Sequence, residues 1–195
     1  CSTLRAEMRI GLYGGTFDPV HHGHLILARQ AMETLRLDEV IFIPAALSPH
    51  KQEATPSDGW IRHAMLVAAV ADEPGFSVDA CELNRPVPSY TIDTLRHFRS
   101  SRPDAELFCF IGEDNVSELE TWREIETIRK MVTLIVLGRG EGEAGGLPRI
   151  ARSVDISSTE IRNRVARGLS VRYLLPEAAC RIIEERNLYR SPIHE

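Results

Sequence analysis

Met8-Arg9-Ile10-Gly11-Leu12-Tyr13-Gly14-Gly15 runs without a break into Thr16-Phe17-Asp18-Pro19-Val20-His21-His22-Gly23-His24, and this stretch decides how the rest of the chain is read. Its first eight residues are an apolar run closing on two glycines, which predicts a buried strand followed by a turn. From Gly23 onward Leu25, Ala28, Ala31, Met32 and Leu35 recur at helical spacing. Strand, turn and helix make the first half of a βαβ unit.

The alternation continues along the chain. Residues 39–46 read as a second buried strand, 60–73 as a helix stopping before Pro74, and 76–85 as a strand fading into a loop. A helix over 90–101 ends ahead of Pro103, and 105–112 is the next strand. One or two short helices fill 117–130, and 132–140 is a strand with a glycine-rich exit. A flexible linker over 141–148 precedes a last strand over 150–156. Helices follow at 157–168 and at 176–189, the latter with Pro176 near its first turn. Strands alternating with helices predict parallel strands and crossover helices. The expected fold is α/β, a three-layer, doubly wound, mainly parallel sheet of Rossmann-like type, with ligands bound beyond the carboxyl ends of the strands. Residues 8–190 form one domain, 1–7 a disordered lead and 191–195 a tail. The polar, proline-containing stretch from Leu47 to Gly59 is a loop long enough to be functional.

Composition narrows the function classes. The chain has 195 residues, 43% hydrophobic and 26% charged, with a formal net charge of −5. This is the balance of a soluble globular protein, and the negative sign disfavours general nucleic-acid binding. No apolar run approaches a membrane span, and the first ten residues lack the apolar core of a signal peptide. The four cysteines, Cys1, Cys81, Cys109 and Cys180, form no CxxC pair. They read as reduced thiols of a cytoplasmic protein rather than as a zinc site.

The string from Gly14 to His24 carries the chemistry. Gly14 and Gly15 let the backbone turn and approach a ligand. His21 and His24, three apart at a helix start, can face one side, with Gly23 leaving space between them. The helix N-terminus adds about half a positive charge. Backbone dipoles and imidazoles together make an anion site. The spacing is not that of a dinucleotide-binding GxGxxG, and no Walker lysine follows. A second helix start, Ile156-Ser157-Ser158-Thr159-Glu160-Ile161-Arg162, has capping-box spacing between Ser157 and Glu160. Alone it reads as a plain cap. Beside the first string it becomes a second phosphate-facing terminus.

Together these strings resemble the nucleotidyltransferase superfamily with the (T/H)xGH signature. Within it the chain is similar to the bacterial nicotinate mononucleotide adenylyltransferases over about residues 9–190. Three further strings carry that finer resemblance: Ser48 to Lys51, Ser89 to Leu95, and Phe110 to Asn115 followed by Trp122. The resemblance implies transfer of AMP from ATP to nicotinate mononucleotide, giving nicotinate adenine dinucleotide and pyrophosphate in NAD biosynthesis. It implies that His21 and His24 contact the ATP phosphates. Gly14, Gly15, Thr16 and Phe17 would bind ATP, with Thr16 and the backbone near Gly15 beside the α-phosphate and the acceptor phosphate. Gly112 and Asp114 would line the adenosine pocket, while Ser158, Thr159 and Arg162 close around the triphosphate. Lys51 would add charge, Tyr90 and Thr91 would begin a helix whose N–H groups receive the nicotinate carboxylate, and Trp122 would stack on the pyridine. Arg139 is a further candidate beside the nucleotide.

The chain departs from the family pattern at Ser48, where a proline is usual, at Glu113, where alanine is usual, and at Arg139-Gly140, which lacks a following proline. The catalytic set implied is His21, His24, Thr16 and Arg162, with magnesium accompanying ATP and no metal ligand from the protein. The partners are ATP and the mononucleotide, with neither nucleic acid nor membrane. Oligomeric state is left open, a homodimer being one option. Two alternatives stand beside this: another acceptor, such as nicotinamide mononucleotide or phosphopantetheine, and a non-catalytic nucleotide sensor on the same scaffold.

Overall fold

The computed structural model describes residues 7–46, 56–140 and 142–190. Six strands, β1 (Arg9–Gly15), β2 (Glu39–Pro44), β3 (Phe76–Val78), β4 (Glu106–Gly112), β5 (Thr133–Gly138) and β6 (Arg149–Ala151), form one sheet in the order β3-β2-β1-β4-β5-β6. Every pairing is parallel. The order runs outward from β1 to β3 and then restarts at β4 on β1's other side. The switch point therefore lies between β1 and β4, where their crossovers part and leave a crevice at the carboxyl edge.

Helices cover both faces. α1 (His22–Leu35), α2 (Gly59–Val70), α5 (Ser158–Ala166) and α6 (Glu177–Glu185) lie over one, and α3 (Thr91–Ser101) and α4 (Ile125–Met131) over the other. Strand side chains alternate between the two layers, as the period of two requires. Leu107, Cys109 and Ile111 of β4 enter the core under α3 and α4, while Phe108 and Phe110 enter the core under α1 and α2. The three-layer α/β expectation holds.

Three elements differ from the sequence expectations. The last strand pairs only over Arg149–Ala151, not 150–156. Its final ladder bond is Arg152 N–H to Gly138 O, after which the chain leaves the sheet to feed α5. A 3-10 helix, Glu113–Thr121, follows β4 directly, where the sequence pattern places no helix before residue 117. β3 is three residues long and gives way to turns. α2 starts where Asp58 accepts from Trp60 N–H at 2.9 Å and from Ile61 N–H at 3.2 Å, an ordinary N-cap.

Candidate active site

β1 ends at Gly15 and the chain turns through Thr16–Val20 into α1. The left-handed residue of this turn is Phe17, at φ 49°, and neither Gly14 nor Gly15 has positive φ. Gly15 serves space instead. A Cβ on Gly15 would come within 2.9 Å of the Phe17 ring, whereas one on Gly14 would meet nothing within 4 Å.

His21 is the N-cap of α1 and His24 lies in its first turn. The two rings stack at 3.8 Å, and Phe17 stands edge-on to His24 at 5.0 Å. His21 N–H donates to His24 Nδ1 at 3.2 Å. An accepting Nδ1 carries no hydrogen in the neutral ring, so Nε2 holds it and is a donor. No partner for that Nε2 occurs among the described residues. Burial, and then the neighbouring imidazole of His22, lower the His21 pKa to about 4. Burial, and then His21, hold His24 well below its ordinary value. Both imidazoles are therefore neutral at pH 7 rather than fixed cations, and His24 offers its Nε2–H as a donor. Gly23 leaves no ligand space, contrary to expectation: a Cβ there would sit 2.9 Å from two atoms of the His21 ring and 3.6 Å from Ile156 O.

The second helix start lies against the first. Ser157 caps α5 by accepting from Glu160 N–H at 3.1 Å. Ser158 Oγ donates to Pro19 O at 2.9 Å, and Arg162 Nη1 donates to Asp18 O at 2.7 Å. Arg162 Nη2 also reaches Thr159 Oγ1 at 3.3 Å. His21, His24, Ser158, Thr159 and Arg162 are thus brought together on one face of the sheet. Ser158 commits its hydroxyl hydrogen to Pro19.

A cleft opens on the other face, at the carboxyl ends of β1, β2 and β4. Gly14, Gly15 and Thr16 form its rim toward the histidines, Gly112 another side, and Tyr90, Thr91 and Trp122 the far wall. His21, His24, Ser158 and Arg162 are not in its walls. They lie round the end of β1, joined to the cleft through Thr16–Pro19. α3 starts in the cleft with no side-chain cap at Tyr90, and the Ser89 hydroxyl is buried there without a hydrogen-bond partner. Trp122 is half-buried against the core beside Ile125 while one side of it faces the cleft. Lys51 lies outside the described residues. Asp114 sits over Gly112, where a Cβ would meet its Oδ1 at 2.7 Å. Arg139 is exposed and paired with Asp155 at 3.0 Å.

Glu113 has a structural use. One carboxylate oxygen pairs with Arg149 at 2.9 Å and the other accepts from Arg139 N–H at 3.1 Å, fastening the exits of β4 and β5 to the start of β6.

A family model described as cytidylyltransferase-like matches residues 12–164, which include the second half of β1, His21, His24 and most of α5. The chain belongs to that family. Within this cytidylyltransferase-like family, a probable nicotinate-nucleotide adenylyltransferase of Thermus thermophilus is 46% identical over 188 residues, covering 94% of this chain and 100% of the relative. A protein of the same description from Shouchella clausii is 43% identical over 185 residues, 93% and 96% of the two chains. The structure of Plasmodium falciparum nicotinic acid mononucleotide adenylyltransferase complexed with NaAD superposes with a TM-score of 0.76 at 18% identity, over 94% of this chain and 98% of that one, a likeness of fold.

Sequence reasoning missed several residues. Arg85 Nη2 donates to Thr94 Oγ1 at 2.6 Å, and Thr94 donates to Glu82 at 2.8 Å, giving the cleft a polar flank. Arg123 lies over the Tyr90 ring at 4.9 Å beside the same cleft. Arg62 is fully buried, although nothing but its helical setting marks it in the sequence expectations. Its signal is present in the pattern: Arg62 falls on the same face as Met65, Leu66 and Ala69, where an apolar side chain is expected.

Proposed function

We propose that the protein transfers the adenylyl group of ATP to nicotinate mononucleotide and releases pyrophosphate, a step of NAD biosynthesis. The carrying observation is the meeting of the two helix starts: α1 with its neutral histidine pair and α5 with Arg162, tied through Asp18 and Pro19 beside a cleft that begins at Thr16. That cluster of N–H, imidazole and guanidinium donors suits a triphosphate. The cleft suits a planar, anionic mononucleotide, with Trp122 as a stacking surface and the uncapped start of α3 as a carboxylate receptor. Relatives 39–46% identical over nearly the whole chain bear the same activity in their names.

In this reading an oxygen of the acceptor phosphate attacks the α-phosphorus in line. The bond to the bridging oxygen breaks, and pyrophosphate takes the electron pair. The acceptor is ionised at neutral pH, so no side chain need remove a proton, and no protein nucleophile takes part. The residues position the two phosphates and stabilise charge as it develops. His24 Nε2–H and the Arg162 guanidinium supply donors, and Thr16 with the backbone near Gly15 holds the acceptor.

Magnesium enters with ATP as part of the substrate. Both oxygens of Asp18, the carboxylate of the loop, are occupied by Ser57 N–H at 3.1 Å and Tyr189 Oη–H at 2.6 Å. The groups around them are hydrogen-bearing donors poorly suited to a hard cation, so magnesium would arrive with the phosphates of ATP and supply positive charge to them there. The free thiols at Cys81, Cys109 and Cys180 fit a reducing compartment, and we place the enzyme in the cytoplasm. No helix among the described residues is long and apolar enough to cross a membrane.

The test is pyrophosphate release with ATP, magnesium and a panel of nicotinate mononucleotide, nicotinamide mononucleotide and phosphopantetheine. The highest kcat/KM is expected for the first. Release no greater than that of a His24→Ala control for every acceptor, with ATP still bound, supports the sensor instead.

A further inference from the structure

Arg62 is in the first turn of α2 and is 1% exposed. Its guanidinium donates in three directions, each time to a backbone carbonyl: Nε to Ser57 O at 2.8 Å, Nη1 to Thr16 O at 2.7 Å and Nη2 to Ala45 O at 2.8 Å. These carbonyls belong to three separate pieces of chain: the turn after β1, the exit of β2, and the lead into α2. Burial lowers the Arg62 pKa, and the charge of Asp18 acts against that as the largest opposing influence. Asp18 in turn holds Ser57 N–H and the Tyr189 hydroxyl, while its own carbonyl receives Arg162. Ser57 is therefore gripped at both its N–H and its C=O, and a continuous chain of hydrogen bonds runs from α2 through Ser57 and Asp18 to α5.

A charge without a direct carboxylate partner among the described residues is a costly way to fill a core position that Leu or Met could occupy. What the guanidinium supplies and an apolar side chain cannot is the orientation of peptide planes. In a trans peptide the C=O and the next N–H point in opposite directions. Turning the Thr16 carbonyl inward to Arg62 turns the Phe17 N–H the other way, and no acceptor for that N–H occurs among the described residues. Phe17 holds the left-handed conformation at this point, which lets successive N–H groups converge on an anion. Thr16 and Ala45 are also both in the wall of the cleft, and Ala45 N–H is bonded to Gly15 O at 2.9 Å.

We propose that Arg62 is a positioning residue for adenylyl transfer. It clamps the Thr16, Ala45 and Ser57 carbonyls so that the Phe17 N–H is presented to phosphate, and it is linked through Ser57 and Asp18 to the placement of Arg162. This rests on the reaction proposed above.

The test compares wild-type enzyme with Arg62→Lys and Arg62→Ala, using thermal unfolding, steady-state kinetics and calorimetric titration with magnesium-ATP. Lysine keeps the charge but cannot span three carbonyls. Arg62→Lys is expected to remain folded at the assay temperature and to lose about 10²-fold in kcat, the size of a mispositioned reacting group, with KM for the mononucleotide changed much less. Guanidinium at non-denaturing concentration is expected to restore part of the kcat of Arg62→Ala, while urea at equal concentration does not. Wild-type kcat in Arg62→Lys, or a loss fully accounted for by the unfolded fraction, overturns the clamp. Tyr189→Phe removes one hydrogen bond from Asp18 and leaves those of Arg62 intact. It serves if both arginine variants fail to fold: a several-fold drop in kcat, beyond what the unfolded fraction accounts for, is expected with Tm lowered by a few degrees, and wild-type kinetics overturn the network. Wild-type protein that is inactive with every acceptor refutes the reaction and not the clamp, which weaker ATP binding by Arg62→Lys still reports.

Discussion

Gly23→Ala sets local helix preference against the geometry of the histidine pair. Gly23 is the second residue of α1, and its φ is not positive, so alanine fits the backbone and gains up to about 1 kcal/mol of helix propensity. Its Cβ, however, would lie 2.9 Å from both Cε1 and Nδ1 of His21, with Ile156 O at 3.6 Å on another side. The His21 ring has to give by several tenths of an ångström to reach normal contact. It is 5% exposed and backed at 3.8 Å by the His24 ring, so the displacement passes to the residue that donates through Nε2. Overpacking of this kind costs about 1–3 kcal/mol. The net loss of stability is then about 0–2 kcal/mol, a fall of a few degrees in Tm for a domain of this size. Activity should suffer more, because misplacing a catalytic donor by a fraction of an ångström to 1 Å costs roughly 10- to 100-fold. Thermal unfolding and pyrophosphate release measured on the same preparation separate the two. Gly23→Ala with wild-type kcat refutes the argument, because it means the imidazole yields without moving anything that matters.

Four further outcomes are expected. His24→Ala should lower kcat by about 10²-fold or more with a smaller change in KM, the size typical of one lost charge-stabilising donor; equal effects on both parameters would argue for uniform binding. Trp122→Ala should raise KM for the mononucleotide about tenfold, as the loss of one aromatic contact of about 1.4 kcal/mol predicts, and leave KM for ATP near wild type; an unchanged mononucleotide KM removes the stacking role. Ser158→Ala should cost about 1 kcal/mol of stability by freeing Pro19 O, read as a shift in denaturant midpoint. Acid should destabilise the fold through His21: its native pKa is about 4 against an ordinary 6.5, so the unfolded chain takes up a proton that the native one refuses. The contribution is present above pH 6.5 and lost between 6.5 and 4, about 3 kcal/mol in all. A His21→Gln variant should show a flatter pH–stability curve, and an identical slope would refute the depressed pKa.

The fold is legible in the sequence because its strands are apolar runs punctuated by glycine and proline, and each crossover helix carries its own periodic stripe. The features that escape are those set by partners distant in sequence. Arg149–Ala151 pairs with β5 for only three residues because α5 draws the chain away, and nothing in the apolar pattern of 150–156 announces that. Gly15 and Gly23 read as room for a ligand, but the neighbours that occupy their space are Phe17 and His21. Sequence can mark a glycine as necessary without saying for whom. The contact of Tyr189 with Asp18 joins residues 171 apart, at 2.6 Å, and no local pattern encodes it. The two helix starts themselves are legible in the sequence. Their union is not, because it is made by Ser158 on Pro19 and Arg162 on Asp18, bonds that exist only once α1 and α5 share a face.

That union explains why the turn after β1 has so little freedom left for its ligand to impose. Thr16 is fixed through its carbonyl, Asp18 through both carboxylate oxygens and its carbonyl, and Pro19 through its carbonyl. His21 and His24 are fixed by stacking and by the His21 N–H. These bonds occupy the loop's carbonyls and the Asp18 carboxylate, at the cost of the Ser158 hydroxyl hydrogen and one Arg162 N–H, and leave the Phe17 N–H and His24 Nε2–H unspent. In the proposed reaction such a site would meet its substrate with donors already aimed, so that little of the binding energy goes into ordering the loop and more of it is expressed at the transferring phosphorus. Loosening the acceptor-side bonds should therefore lower kcat before it weakens binding.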